Sequence, residues 1–175
     1  MNSRTSQVQQ ALEFHGHTYL RQILLLSLLS GRQVIIKEIR SEATSPGLLP
    51  YEIDLLKLIE KVTNGTTSVI NKTGTKLTFR PGIIDCADGL LVEHACSLER
   101  SMTYYLEVVC VLAIFGKTDL WLEMTGNTDD HLDQGVDSFY RAFTYMIGQM
   151  SGGAMTLKVK KRGYAPLGGG HILLR

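Results

Sequence analysis

The sequence predicts an α+β fold made of two tandem β-α-β-α-β-β units, each a four-stranded mixed sheet with two helices on one face. Three observations predict it. Apolar segments with helical spacing alternate with short runs rich in β-branched residues. Each half of the chain closes with two strands around a turn rich in small, polar or Gly-Pro residues. The same order of elements then recurs after roughly 75–80 residues, the mark of an internal repeat. Two helices laid on one face of a mixed sheet is the packing that buries both sets of apolar residues.

In the first unit, residues 1–82, a short strand near Gln10–His15 precedes a helix near Thr18–Ser30, which Gly31 stops in glycine's usual C-terminal role. Leu20, Ile23, Leu24, Leu25, Leu26, Leu28 and Leu29 make that helix apolar nearly all round, which predicts burial on every side. Val34–Ile39 has strand composition, and Ser45-Pro46-Gly47 signals a turn. A helix near Tyr51–Val62 places Leu55, Leu58, Ile59 and Val62 on one face and Glu52, Asp54, Lys57, Glu60 and Lys61 on the other, with Asn64-Gly65 ending it. Strands at Thr67–Ile70 and Lys76–Arg80 follow, joined by a polar turn around Asn71–Gly74.

The second unit, residues 83–175, repeats the order. It reads as a strand near Leu90–Glu93, a helix near Ser97–Phe115 and a strand near Asp119–Glu123. An acidic loop, Gly126–Asp133, leads to a helix near Val136–Met150, and strands at Met155–Lys161 and Gly170–Leu174 close the unit.

Composition narrows the class. The 175 residues are 44% apolar and 20% charged, which excludes disordered and collagen-like chains. Eighteen Lys and Arg against 17 Asp and Glu exclude a polybasic tail but leave room for a local basic patch. Cys86, Cys96 and Cys110 are odd in number and make no C-x-x-C pair, so neither a disulfide framework nor zinc or thioredoxin-like chemistry is indicated. A reducing compartment is expected. The runs Ile23–Leu29 and Leu106–Phe115 fall short of the ~20 apolar residues that span a bilayer, and the polar first ten residues lack a secretory signal. A soluble, intracellular protein with no membrane partner is expected.

Few residues suggest chemistry. Glu13, His15 and His17 alternate, so on a strand they would point one way, either as zinc or iron ligands or as a solvated strand end without a further ligand. The stretch Asn127–Asp133 is rich in oxygen ligands but lacks calcium-loop spacing, and an acidic loop leading and capping a helix is the plainer reading. Gly168-Gly169-Gly170 has no Gly-Lys-Ser/Thr or helix after it, so it reads as a turn between strands before it reads as a phosphate cradle. No metal site and no cofactor are assigned. The one dense basic cluster is Lys158, Lys160, Lys161 and Arg162, with Arg175 nearby in sequence. With Leu157 and Val159 facing the core, Lys158 and Lys160 would project from the open face of a strand. Such a stripe suits RNA phosphates, with Tyr164 able to stack on a base, and equally suits a charge-protected edge strand.

The stretches "LRQILLLSLLSGRQVIIKEIRSEATSPGLLPYEIDLLKLIEKVTNG", "TKLTFRPG" and "LKVKKRGYAPLGGGHILL" together resemble the RNA 3′-terminal phosphate cyclase family, from about Glu13 to Leu174. The resemblance implies a large domain of β-α-β-α-β-β units. It also implies one of two activities. True cyclases use ATP to adenylate an enzyme histidine and convert an RNA 3′-phosphate to a 2′,3′-cyclic phosphate. The cyclase-like branch serves ribosome biogenesis in the nucleolar small-subunit processome and binds a GTPase partner.

Departures from the cyclase pattern favour the second branch. Where cyclases carry Gly-Glu-Gly-Gly-Gly-Gln-Ile-Leu-Arg, this chain has Glu13-Phe14-His15-Gly16-His17-Thr18-Tyr19-Leu20-Arg21, which keeps Arg21 but puts Phe14 in the carboxylate's place. In the next loop Arg40 matches, while the second arginine becomes Ala43, and a methyl group cannot replace a guanidinium fork on phosphate. The cyclase Arg-Gln-His becomes Pro50-Tyr51-Glu52, a carboxylate expected to repel phosphate. Adenylation needs positive charge aimed at the transferring phosphate, and most of it is gone. Val92–Ser97 and Tyr104–Glu107 look like the cyclase-like branch. Family members are about twice as long, with a third unit, an inserted smaller domain and a nucleophilic histidine near the far end, so the resemblance covers an N-terminal half.

The expectation is therefore a noncatalytic factor in small-subunit rRNA processing, located in the nucleus and nucleolus. It would contact pre-rRNA and processome components through Lys158, Lys160, Lys161, Arg162 and Tyr164, dock a nucleolar GTPase, and keep Arg21 and Arg40 as relic anion contacts. The alternative is an ATP-dependent cyclase with a drifted site.

Overall fold

The computed structural model describes residues 10–151 and 154–175. The polar stretch read from residues 1–9 lies outside them. The chain divides into two compact units, residues 1–48 with 67–81, and residues 49–66 with 82–175.

The first unit holds β1 (Leu12–His15), α1 (Leu20–Ser30) and β2 (Val34–Lys37). The second unit's α2 (Pro50–Val62) and β3 (Thr63–Asn64) intervene in sequence before the first unit resumes with β4 (Thr67–Ile70) and β5 (Leu77–Arg80). The first sheet runs β1-β2-β5-β4, parallel between β1 and β2 and antiparallel elsewhere. Leu24 and Leu28 of α1 and Val34, Ile36, Leu77 and Phe79 of the sheet are among this unit's buried apolar residues. Gly31 ends α1 at φ +68°, a left-handed conformation that glycine adopts without a Cβ clash.

The second unit continues with β6 (Ile83–Ile84), β7 (Leu91–Ala95), α3 (Thr103–Ile114), β8 (Trp121–Gly126), α4 (Val136–Ser151), β9 (Leu157–Lys161) and β10 (Gly170–Leu174). Its sheet runs β7-β8-β10-β9, with β7 parallel to β8 and the other pairs antiparallel. Each sheet thus has its strands in the order first, second, fourth, third, and the element order is β-α-β-α-β-β twice, the predicted α+β architecture. Strands β3 and β6 form a separate antiparallel pair.

Three readings need correction. Helix α1 is not buried all round: Leu26 is 62% exposed and Leu29 is also exposed. The still more apolar α3 is buried, with α2 and α4 both packed against it. Apolarity all round signals burial only where neighbouring helices supply the second and third surfaces. Glu52 is not on a solvated face of α2 but buried, and its Oε2 accepts the Leu49 N–H at 2.8 Å, satisfying an end-of-helix donor. Helix α3 begins at Thr103, not Ser97. The Ser97 and Ser101 N–H groups donate to Asp54 and Asp130 at 3.0 and 2.7 Å, and Met102 N–H donates to the Asn127 carbonyl at 2.8 Å, so tertiary acceptors hold this segment open.

Among the described residues, no helix is long and apolar enough to cross a membrane. Cys86, Cys96 and Cys110 are buried free thiols.

Candidate nucleic-acid interface

The second sheet has one face turned to its helices and one open. Side chains alternate along each strand, so Leu122, Met124, Ile172 and Leu174 are buried while Trp121, Glu123, His171 and Leu173 face outward and keep partial exposure. Directly opposed residues share a face. Lys158 stands opposite Leu173, which stands opposite Glu123, which stands opposite Glu93. The open face therefore carries acids on β7 and β8 and lysines on β9.

Of the basic cluster, Lys158, Lys160, Lys161 and Arg162 are all exposed. Two of them are held by carboxylates. Lys160 Nζ lies 2.6 Å from Glu123 Oε1, an oxygen that His171 Nε2 also contacts. That bond to Lys160, and then the one to His171, holds the Glu123 carboxyl below the usual carboxylate range. Arg162 NH2 lies 2.6 Å from Asp137 Oδ2, with Asp129 Oδ2 at 3.9 Å from NH1, and the Asp137 bond pushes the guanidinium pKa up. Tyr164 is 58% exposed.

The glycine-rich segment after Tyr164 is a strand connection. Gly168 and Gly169 take φ of +68° and +83°, and a Cβ on Gly163 would lie 2.0 Å from the Gly170 nitrogen. Thr128 N–H donates to the Gly163 carbonyl at 2.7 Å, and Gly163 N–H donates back to Thr128 Oγ1 at 3.2 Å. Bare backbones meet here, which explains the glycines without a phosphate.

The acidic loop folds on itself ahead of α4. Asp130 Oδ1 accepts from Leu132 N–H and Asp133 N–H at 2.9 and 2.6 Å. Asp133 accepts two bonds from Arg100, at 2.7 and 2.5 Å. The Arg100 guanidinium lies 4.5 Å from the Tyr104 ring centre and 5.1 Å from that of Tyr51. Its bonds to Asp133, foremost, push its pKa up.

Sequence reasoning missed a buried hub in the segments it assigned to the cyclase-like branch. Asp54 Oδ2 on α2 accepts from Ser97 N–H and faces His94 Nε2 at 3.2 Å. His94 is 5% exposed, and its ring lies 5.9 Å from that of the buried Tyr105. Only the outward placement assigned to Asp54 by helical spacing concealed this pairing.

In the first unit, Glu13 Oε2 accepts from Lys37 Nζ at 2.7 Å and His15 Nδ1 meets Glu38 Oε2 at 2.9 Å. Those partners engage the two side chains, while His17 is exposed in the turn before α1. Among the described residues, no three His, Cys, Asp or Glu side chains are grouped to hold a metal. Phe14 is half-buried opposite Ile36. Arg21 is half-buried in the first turn of α1. Arg40, at φ +47°, donates from NH1 to the Gly47 carbonyl at 3.2 Å, and Ala43 is exposed.

Comparison with known proteins agrees with this architecture. Residues 12–175 match the sequence profile of the family described as RNA 3′-terminal phosphate cyclase. An Arabidopsis thaliana protein named "Probable RNA 3′-terminal phosphate cyclase-like protein" is 44% identical, over 91% of this chain and 42% of its own. The human "RNA 3′-terminal phosphate cyclase-like protein" is 39% identical, over 93% of this chain and 43% of its own. The "rRNA processing protein rcl1" of Schizosaccharomyces pombe is 35% identical, over 93% and 45%. The chain spans less than half the length of these relatives. With the profile matched along nearly its whole length and the β-α-β-α-β-β order present twice, the chain belongs to the RNA 3′-terminal phosphate cyclase family, in its cyclase-like branch.

Proposed function

We propose that this chain is part of a noncatalytic factor in small-subunit rRNA processing and ribosome biogenesis, which contacts pre-rRNA through the basic end of β9. The observation that carries the reading is the pairing of two features: relatives named cyclase-like, one of them named for rRNA processing, and an exposed lysine stripe on an open sheet face. The residues standing at the cyclase-pattern positions, taken one by one, support the noncatalytic half. Phe14 offers no polar atom to a nucleotide, Ala43 offers no charge, Arg40 is bonded to its own loop, and Glu52 serves the start of α2. Electrostatic stabilisation of a transferring phosphate needs preorganised donors, which these residues do not supply. Arg21 and Arg40 remain as relic anion contacts in this reading.

The resemblance adds processome components, a nucleolar GTPase partner and a nuclear, nucleolar location. Residues 1–82 and 83–175 are successive repeats in this account, a reading supported by the shared strand order of the two sheets.

Reversing the charges of Lys158, Lys160, Lys161 and Arg162 together tests the assignment. RNA affinity should fall and its salt dependence flatten, because lysine and arginine contacts to phosphate release counterions. Unchanged affinity and an unchanged salt slope would remove this surface from RNA binding.

A further inference from the structure

Strand β9 is the outer strand of the second sheet, and it carries a bulge. The register pairs Leu173 with Lys158 and Ile172 with Val159, then shifts so that His171 faces Lys161. Lys160 is the additional residue. Without the bulge, strict alternation would send Lys161 to the helix-covered face with Leu157 and Val159. With it, Lys161 joins Lys158 on the open face, two ladder positions and about 7 Å along the strand. That separation is comparable with the step between successive phosphates of an extended single strand.

The four cations are not equivalent. Lys160 and Arg162 are bonded to Glu123 and Asp137. Lys158 and Lys161 are exposed and make no ion pair among the described residues. Glu93, exposed on β7 at the far side of the face, repels an anion there and favours the β9 edge.

Three residues past Lys161 stands Tyr164. Its backbone is bridged to Asp129 on one side and Gly168 on the other, and its carbonyl accepts the Gly168 N–H at 3.0 Å. The exposed ring is therefore carried on a fixed backbone, which lowers the ordering cost of a contact.

We propose that Lys158, Lys161 and Tyr164 form a binding edge for single-stranded RNA. The two lysines meet phosphates of one strand and Tyr164 stacks on an unpaired base. This rests on the RNA reading above and narrows it. A duplex keeps its base faces stacked inside, so it offers Tyr164 no partner, whereas a splayed strand offers one at every nucleotide.

The test is fluorescence anisotropy on the whole chain, with a short unstructured RNA and an RNA duplex of equal length across a salt series. The single strand should bind about tenfold more tightly, and Tyr164→Ala should cost it about tenfold while leaving the duplex unaffected. Tyr164→Phe should restore the loss. The slope of log affinity against log salt should be about −1.4, two phosphates at roughly −0.7 each, and Lys158→Gln with Lys161→Gln should bring it close to zero. A slope near about −2.8 would mean four engaged cations and overturn the two-lysine assignment. Equal binding of duplex and single strand, indifferent to Tyr164→Ala, would overturn the single-strand inference while leaving the RNA reading standing. If neither RNA binds, both fall.

Discussion

Asp54 and the buried His94 form a polar pair, with His94 Nε2–H donating to Asp54 Oδ2 across 3.2 Å while the same carboxylate oxygen receives the Ser97 N–H. The pair joins α2 to β7 within the second unit. Burial, the largest influence, lowers the His94 pKa below its ordinary value, and the Asp54 carboxylate only partly offsets it. The native state therefore holds His94 neutral, while the unfolded chain protonates it near an ordinary histidine value of about 6.5.

The sign of the pH dependence follows. The stability from a neutral His94 is fully present above the unfolded pKa. As pH falls from about 6.5 toward the lowered folded pKa, the unfolded state takes up a proton that the native state does not. The unfolding free energy from urea titrations should decline across this window by up to about 1.4 kcal/mol per pH unit. His94→Gln, which keeps a donor for Asp54, should flatten that decline, and an unchanged slope in the variant would assign the pH dependence to other groups.

Two glycines should respond in opposite directions. Gly163→Ala places a Cβ 2.0 Å from the Gly170 nitrogen and 2.5 Å from the Gly168 oxygen, both backbone atoms that cannot swing away. A loss of about 3 kcal/mol or more is expected. Gly148→Ala, inside α4 with nothing within 4 Å of the new methyl, should gain about 0.5–1 kcal/mol. Denaturant titrations of the two variants check both signs.

Arg100→Lys should destabilise by roughly 1–2 kcal/mol, since an ammonium cannot reproduce the two-point bond to Asp133 or lie flat on the Tyr51 and Tyr104 rings. Thermal melting measures it. A melting temperature equal to that of the parent would show that the guanidinium geometry contributes nothing.

Asp137→Asn should strengthen RNA binding. It removes the carboxylate 2.6 Å from Arg162, adding a cation for phosphate, and the salt slope should steepen by about −0.7. An unaltered slope would place Arg162 outside the RNA path even when released.

Much of the fold was legible because its signals are local. The apolar spacing in α2, glycine at the end of α1, and the β-branched strand runs each report a backbone preference that tertiary packing keeps. What the sequence concealed depends on partners distant in the chain. Glu52 and Asp54 look like solvated helix residues until Leu49, His94 and Ser97 claim them. Leu26 and Leu29 look buried because apolar character says nothing about which neighbours exist. At the candidate site, residue type located the lysines, but a one-residue register shift decides that Lys161 shares the face of Lys158. No periodicity argument sees a bulge before its partner strand is known.

The most direct measurement is photo-crosslinking of the chain to RNA carrying 4-thiouridine, with adducts mapped by mass spectrometry. The account predicts adducts within residues 157–164, foremost at Tyr164. Adducts gathered around Arg21 and Arg40, with none on β9 or the turn that follows it, would contradict it.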